Sequence, residues 1–172
     1  MQRARLILPT TNRISHLDKT PLLIDNTTMN SRIENKTFIL EFNELPLREF
    51  DMGGVLYHGR YFHIYENTRE SFLQHSGIPY QNLVKENTHL AVVESKQKFI
   101  KPIFYTTTFT IYMHCSNLNK ASFTFDYSII AKDEIIHTAQ TKHTAVTSDQ
   151  KSIRIKKISD ALLESLQIIY HE

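Results

Sequence analysis

Asp51-Met52-Gly53-Gly54-Val55-Leu56-Tyr57-His58-Gly59-Arg60-Tyr61 holds three of the four glycines in a chain of 172 residues, and the fold is read outward from it. Paired glycines let a backbone turn tightly through positive φ. Downstream, Tyr61, Tyr65, Thr68 and Phe72 recur at spacings of 4, 3 and 4, with Phe62 and Leu73 widening the stripe. That period predicts an amphipathic helix over residues 59–76. Gly77 stands where a left-handed cap closes such a helix, and Pro79 follows two residues later. Residues 79–86 read as a second, short helix.

Upstream, Thr37-Phe38-Ile39-Leu40-Glu41-Phe42 reads as a strand, and Pro46 interrupts before a second extended piece ending near Phe50. Past residue 89 the period becomes two. Ile103, Tyr105, Phe109, Ile111 and Met113 share one face of a strand over 103–114, and Phe123, Phe125, Tyr127 and Ile129 share one face over 121–131. Residues 90–100 and 135–146 complete four long strands, joined by Lys101-Pro102, by residues 117–120 and by Asp133-Glu134. Such strands predict an antiparallel meander, with the 59–76 helix as its only long cover. A last helix, 159–170, carries Leu162, Leu163, Leu166 and Ile169 on one side, with Ser159 as its N-cap. The expected architecture is α+β: a helix packed on a curved antiparallel sheet.

Composition narrows the function. Twenty Lys+Arg against 18 Asp+Glu leave a net charge of +2, which is no electrostatic warrant for nucleic-acid binding. No apolar run reaches the ~18 residues of a membrane span. The single cysteine, Cys115, excludes an intramolecular disulfide and a cysteine-built zinc site. The glycine spacing fits neither a phosphate-binding P-loop nor a dinucleotide fingerprint. Residues 1–34 show no lasting period and read as a poorly ordered extension, followed by the domain at 35–158 and the C-terminal helix at 159–172. The basic start lacks a secretory h-region, so a cytoplasmic location is expected. Three arginines before Asp18 leave an organellar transit peptide open, and Met29 offers a later start.

The opening stretch also carries the chemistry. An acid ends the strand region, the glycines allow close approach to the main chain, and His58-Gly59 opens the helix. A helix start presents unpaired N–H groups that suit an oxyanion. A carboxylate near those donors could act on the carbonyl whose oxygen they bind, a geometry for acyl transfer or hydrolysis. The competing interpretation is that Asp51 only caps its turn. Physics alone leaves both open.

With Tyr65-Glu66-x-x-Arg69 following, the pattern Asp51-x-Gly-Gly-Val-x-Tyr-His58-x-x-Tyr61 closely resembles the signature of hotdog-fold acyl-CoA thioesterases. The similarity is to the 4-hydroxybenzoyl-CoA thioesterase-like family, including its Tol-Pal-associated members, and extends over residues 37–147. It implies a five- or six-stranded sheet wrapped around a long central helix. It also implies a homodimer or homotetramer, with sites at the subunit interface. Asp51 matches the family's catalytic aspartate, nucleophile or general base, and His58 the position whose N–H polarises the thioester carbonyl. Gly53, Gly54, Val55, Tyr57 and Gly59 would line the substrate. The partner implied is an acyl-CoA, coenzyme A being part of the substrate, with neither separate cofactor nor metal. The chain departs from the family at Leu47, where a tyrosine is usual, at the bulky Met52, expected to narrow the pocket, and at Thr106-Thr107, where Gly-Asp or Asp-Asp is usual. Glu49 keeps the acid two residues before Asp51.

Weaker candidates have plainer explanations. Glu66 and Arg69 are spaced as an i,i+3 ion pair. His58 and His63 do not share a helix face, and His137 and His143 read as exposed strand histidines. Cys115 reads as inert. Arg154, Lys156 and Lys157 form a basic run that could meet coenzyme A phosphates or simply face solvent. Two further functions stand beside acyl-CoA hydrolysis: an acyl-carrier-protein thioesterase, and a non-catalytic hotdog scaffold that binds acyl-CoA or protein.

Overall fold

Phe38, Leu40 and Phe42 lie on one face of a strand and are buried in the core. A computed structural model describes residues 30–149 and 152–172. The expectations for residues 1–29, including Met29, lie outside them. Strand β1 (Ser31–Glu34) forms a hairpin with β2 (Thr37–Phe42), so the end of the expected extension belongs to the sheet. After the Asp51 loop come α1 (Tyr61–His75), α2 (Tyr80–Lys85) and β3 (His89–Phe99). Then follow β4 (Phe109–Ser116), β5 (Ser122–Ala131), β6 (Glu134–Asp149), β7 (Ser152–Ile155) and α3 (Asp160–Ile168).

All the pairings are antiparallel, in the order β1-β2-β4-β5-β6-β3, with β7 also on β6. This corrects the four-strand meander. Of the four strands expected there only β4-β5-β6 are sequential neighbours; β3 runs along the far side of β6, from His89↔Val146 to Phe99↔His137. Pro102 has no N–H to continue a ladder, and residues 103–108 are not strand. They cross back to the middle of the sheet through a turn in which Thr107 N donates to Phe104 O and Thr106 sits at φ 68°.

Helix α1 covers the sheet with Tyr61, Ile64, Tyr65, Thr68, Phe72 and Leu73, all buried. Phe62 does not widen this stripe; it is half-exposed, and Ile64 takes its place. The helix closes as expected: Gly77 is left-handed at φ 75° and Ile78 N donates to Leu73 O. Helix α3 starts at Ser159, whose hydroxyl accepts from Leu162 N. It is a second cover, because Leu162, Leu166 and Ile169 are wholly buried in the same core. Residues beyond it reach β4: Cys115 N donates to Ile169 O and His171 N to Cys115 O. Cys115 is buried, and burial pushes its thiol up to about 12, which fits an inert residue. No helix among the described residues is long and apolar enough to cross a membrane.

Candidate functional site

The loop before α1 is held by two backbone rungs that flank one bridged pair. Asp51 N donates to Val55 O, Phe50 bridges Leu56, and Tyr57 N donates to Glu49 O. Gly54 N returns to Asp51 O, and Gly54 adopts φ 73°, so the tip is a tight turn closed by a left-handed glycine. The Glu49 carboxylate sits between Arg48 at 3.5 Å and Arg60 at 3.3 Å, tying the start of the loop to the start of the helix. Its outer side is braced by the chain after Pro102: Leu56 N donates to Ile103 O, and Tyr105 N to Gly54 O.

Within that frame Asp51 is exposed, and its Oδ1 accepts from Gly53 N at 2.8 Å and Val55 N at 3.1 Å. The carboxylate therefore does cap its own turn. The same two bonds also fix its direction. A side chain on Gly53 would place its Cβ 3.2 Å from Asp51 Oδ1, so glycine leaves the carboxylate its room. Gly59 has a comparable purpose, since a Cβ there would lie 3.0 Å from the Tyr57 ring. That ring rests on His58, with centroids 4.2 Å apart.

His58 opens a 3-10 turn, His58–Arg60, that runs into α1. Among the described residues, Arg60 N is bonded to Tyr57 O, whereas the N–H groups of His58 and Gly59 have no acceptor. Two donors are thus left at the start of a helical run, where partial positive charge collects. Asp51 and His58 stand on opposite arms of one loop. The sequence-expected residues Asp51, Gly53, Gly54, Val55, Tyr57, His58 and Gly59 lie on one loop, with Asp51, Gly53, Tyr57 and His58 exposed and the others partly buried.

The other expectations fare differently. Met52 projects fully into solvent at the loop tip and narrows nothing within its own chain; Leu47 is exposed too. Lys156 Nζ donates to Glu86 O and Thr88 Oγ1, both at 2.7 Å, and Lys157 pairs with Asp160 at 3.3 Å. Arg154 stands on β7. These three gather near the α2 end of the molecule, whereas the Asp51 loop joins the opposite end of α1. Glu66 and Arg69 make no ion pair with each other; Arg69 Nη1 donates instead to the Tyr127 hydroxyl at 3.2 Å.

His137 and His143 are not exposed. Both are buried on the face of β6 that meets α1. His137 Nε2 meets the Tyr65 hydroxyl at 2.5 Å, and His143 Nε2 meets Thr141 Oγ1 at 2.8 Å, which meets the Tyr127 hydroxyl at 3.0 Å. Burial drives His137 down to about 4. Burial and then the charge of Arg69 drive His143 down to about 3. The alternation His137, Ala139, Thr141, His143, Ala145 was the signal available for this, since the small residues between them share one face.

A profile of the thioesterase-like superfamily matches residues 45–166. A putative esterase of Aquifex aeolicus (strain VF5) is 29% identical over 119 residues, covering 69% of this chain and 90% of that protein. Among solved structures, a 1,4-dihydroxy-2-naphthoyl-CoA thioesterase from Synechocystis superposes with a TM-score of 0.69 at 19% identity, covering 76% of this chain and 96% of the other. A 4-hydroxybenzoyl-CoA thioesterase mutant, complexed with 4-hydroxybenzoyl-CoA, superposes at 0.68 with 13% identity, covering 76% and 99%.

Proposed function

Because the chain belongs to the thioesterase-like superfamily and has the hotdog fold, we propose that it hydrolyses an acyl-CoA thioester to the free carboxylic acid and coenzyme A, with Asp51 as the reacting carboxylate. The observation that carries this is the loop itself. One arm ends in a carboxylate aimed by two bonds to Oδ1, and the other in the unpaired N–H groups of His58 and Gly59.

In the general-base form, Asp51 takes a proton from water and the hydroxide adds to the thioester carbonyl carbon. The carbonyl oxygen becomes an oxyanion, held by the N–H groups at the start of α1. The tetrahedral intermediate then collapses, the C–S bond breaks, and the departing thiolate takes up the proton. In the nucleophile form, the carboxylate adds first, giving an acyl-aspartyl anhydride that water cleaves. Both forms balance with water alone, so no cofactor is assigned. In either case Tyr57, packed on His58 and across Gly59, fixes the donor arm.

The active unit in this proposal is a homo-oligomer. Strand β3 pairs only with β6 among the described residues, leaving an eleven-residue edge with Val93 and Phe99 more than half exposed. A free, long edge of this kind is a template for a second copy. Light scattering at micromolar concentration is expected to give a dimer or a higher even multiple.

The test of the activity is thiol release from short, long and aromatic acyl-CoAs. Asp51→Asn keeps an Oδ1 acceptor for Gly53 and Val55, so the fold should persist while turnover falls by roughly 10²–10⁴. Parent-level hydrolysis by that variant would remove Asp51 from the mechanism.

A further inference from the structure

A cavity of about 340 Å³ lies along α1, away from the Asp51 loop. Its floor is apolar and buried: Leu73 of α1, Phe123 and Phe125 of β5, and Leu162 of α3. Leu90 and Val92 of β3 form one side, and its mouth carries the exposed Glu66 and Gln81. The size falls in the ~300–1,000 Å³ range of small-molecule sites, and an apolar floor below a polar rim is their usual chemistry.

Its place relative to the loop is fixed by two elements. Helix α1 and strand β3 run in opposite directions, since Tyr61 packs on Phe99 at 5.1 Å and the Tyr65 hydroxyl meets Gln97 at 3.1 Å, while Leu73 and Leu90 meet at the cavity. His58 is at the start of this track and the cavity at its end. Glu66 and Leu73 follow His58 by eight and fifteen residues, roughly 12 and 22 Å along the axis. Between the two lies Phe62, half-exposed and packed edge-on against Tyr65 with centroids 6.0 Å apart. An acetyl or benzoyl group held at His58 is too short to cover that distance; a long straight chain is not.

We infer that this cavity receives the far end of the substrate's acyl chain, so that the preferred substrates are long straight-chain acyl-CoAs. The inference rests on the thioesterase proposal for the loop. It adds an element that the family motif does not contain, because Leu162 belongs to a helix beyond the residues that carry that motif. The polar rim fits the same occupant: a chain end without a charge has nothing to pair with there and is driven to the floor by burial of apolar surface.

The experiment uses two thioether analogues that cannot be hydrolysed, S-dodecyl-coenzyme A and S-ethyl-coenzyme A, titrated calorimetrically into the full chain. The parent is expected to bind the dodecyl compound at least tenfold more tightly. Gln81→Trp, from the exposed rim, and Glu70→Trp, from a half-buried position that also lines the cavity, each place an indole there, and each is expected to erase that preference while leaving the ethyl compound unchanged. Equal affinity for the two analogues in the parent overturns the cavity assignment but not the thioesterase proposal. A dodecyl preference that survives in both variants overturns it as well. Failure of both analogues to bind overturns the proposal for the loop, and this one with it.

Discussion

The Asp51 loop and the seam between α1 and β6 are both rich in polar groups, and they are built on opposite terms. In the loop the Asp51, Tyr57 and His58 side chains are exposed and the backbone determines the arrangement: two rungs, one left-handed glycine and two N–H groups on a single carboxylate oxygen. In the seam the backbone is ordinary ladder and the side chains bond to one another, Tyr65 with His137, and Arg69 with Tyr127, Thr141 and His143, although both histidine Nδ1 atoms are buried with no hydrogen-bond partner among the described residues. Strongly shifted titrating groups often mark an active centre. Here they mark the seam, where burial holds two histidines neutral and keeps the tyrosine hydroxyls protonated. Perturbation alone would therefore point to His137 and His143 rather than to the His58 of the proposed site.

The contrast can be broken by showing that one region carries the other's property. The largest effect expected is on turnover: Asp51→Asn should lower it by orders of magnitude with an unchanged denaturation midpoint. A large loss of stability would mean that the carboxylate serves the fold first.

Acid comes next. A histidine held below its unfolded value contributes stability that is complete above about pH 6.5 and is lost as the pH falls towards its folded value. His137 and His143 should each remove up to about 1.4 kcal/mol per pH unit across the window from 6.5 down to about 4 and about 3. Urea titrations at pH 7, 5.5 and 4.5 measure this. A flat profile would show that the seam accommodates charge.

Gly54→Ala probes the loop backbone without touching a neighbour, because a Cβ there meets nothing within 4 Å. The cost is torsional, about 1–2 kcal/mol for a left-handed alanine. It should appear both in stability and as a lower kcat, since the turn aims Asp51. The smallest effect is expected at Thr106, a β-branched residue at φ 68°. Thr106→Gly relieves about 1–2 kcal/mol of strain and costs about 0.5–1 in chain entropy. The net gain should be several tenths of a kcal/mol by chemical denaturation.

Local signals were read well from the sequence, and pairings over distance were not. The stripe of α1, the cap at Gly77, the Ser159 N-cap and the alternation of β4 and β5 are encoded within a few residues, and so is the Asp51 turn. Nothing local says that β3 lies beside β6; Pro102 marks where the strand ends, not which neighbour it had. The i,i+3 spacing of Glu66 and Arg69 fits an ion pair, but the buried Tyr127 hydroxyl draws the guanidinium inward. His137 looks like a surface residue because its partner Tyr65 arrives only once α1 lies on the sheet, and His143 because the Phe123 and Phe125 rings that cover it come from β5. In the candidate site, the acid, the glycines and the helix start were legible; outside it, the neutral seam and the cavity behind α1 needed the tertiary contacts.

The junction of Cys115 with residues 169–171 has a consequence for the order of events in synthesis. Residues 38–42 of β2 accompany β4 only as far as Met113, and beyond that point the main chain of Cys115 is matched by Ile169 and His171. That closure spans more than fifty positions of sequence. A contact of such separation is entropically late. On the ribosome it cannot form until the segment near 170 has left the exit tunnel. Since α3 also supplies Leu162 to the cavity floor, the Asp51 turn can be in place while the nascent domain still lacks part of the floor of this apolar recess. During that interval the recess is a surface that chaperones, rather than substrate, are suited to cover.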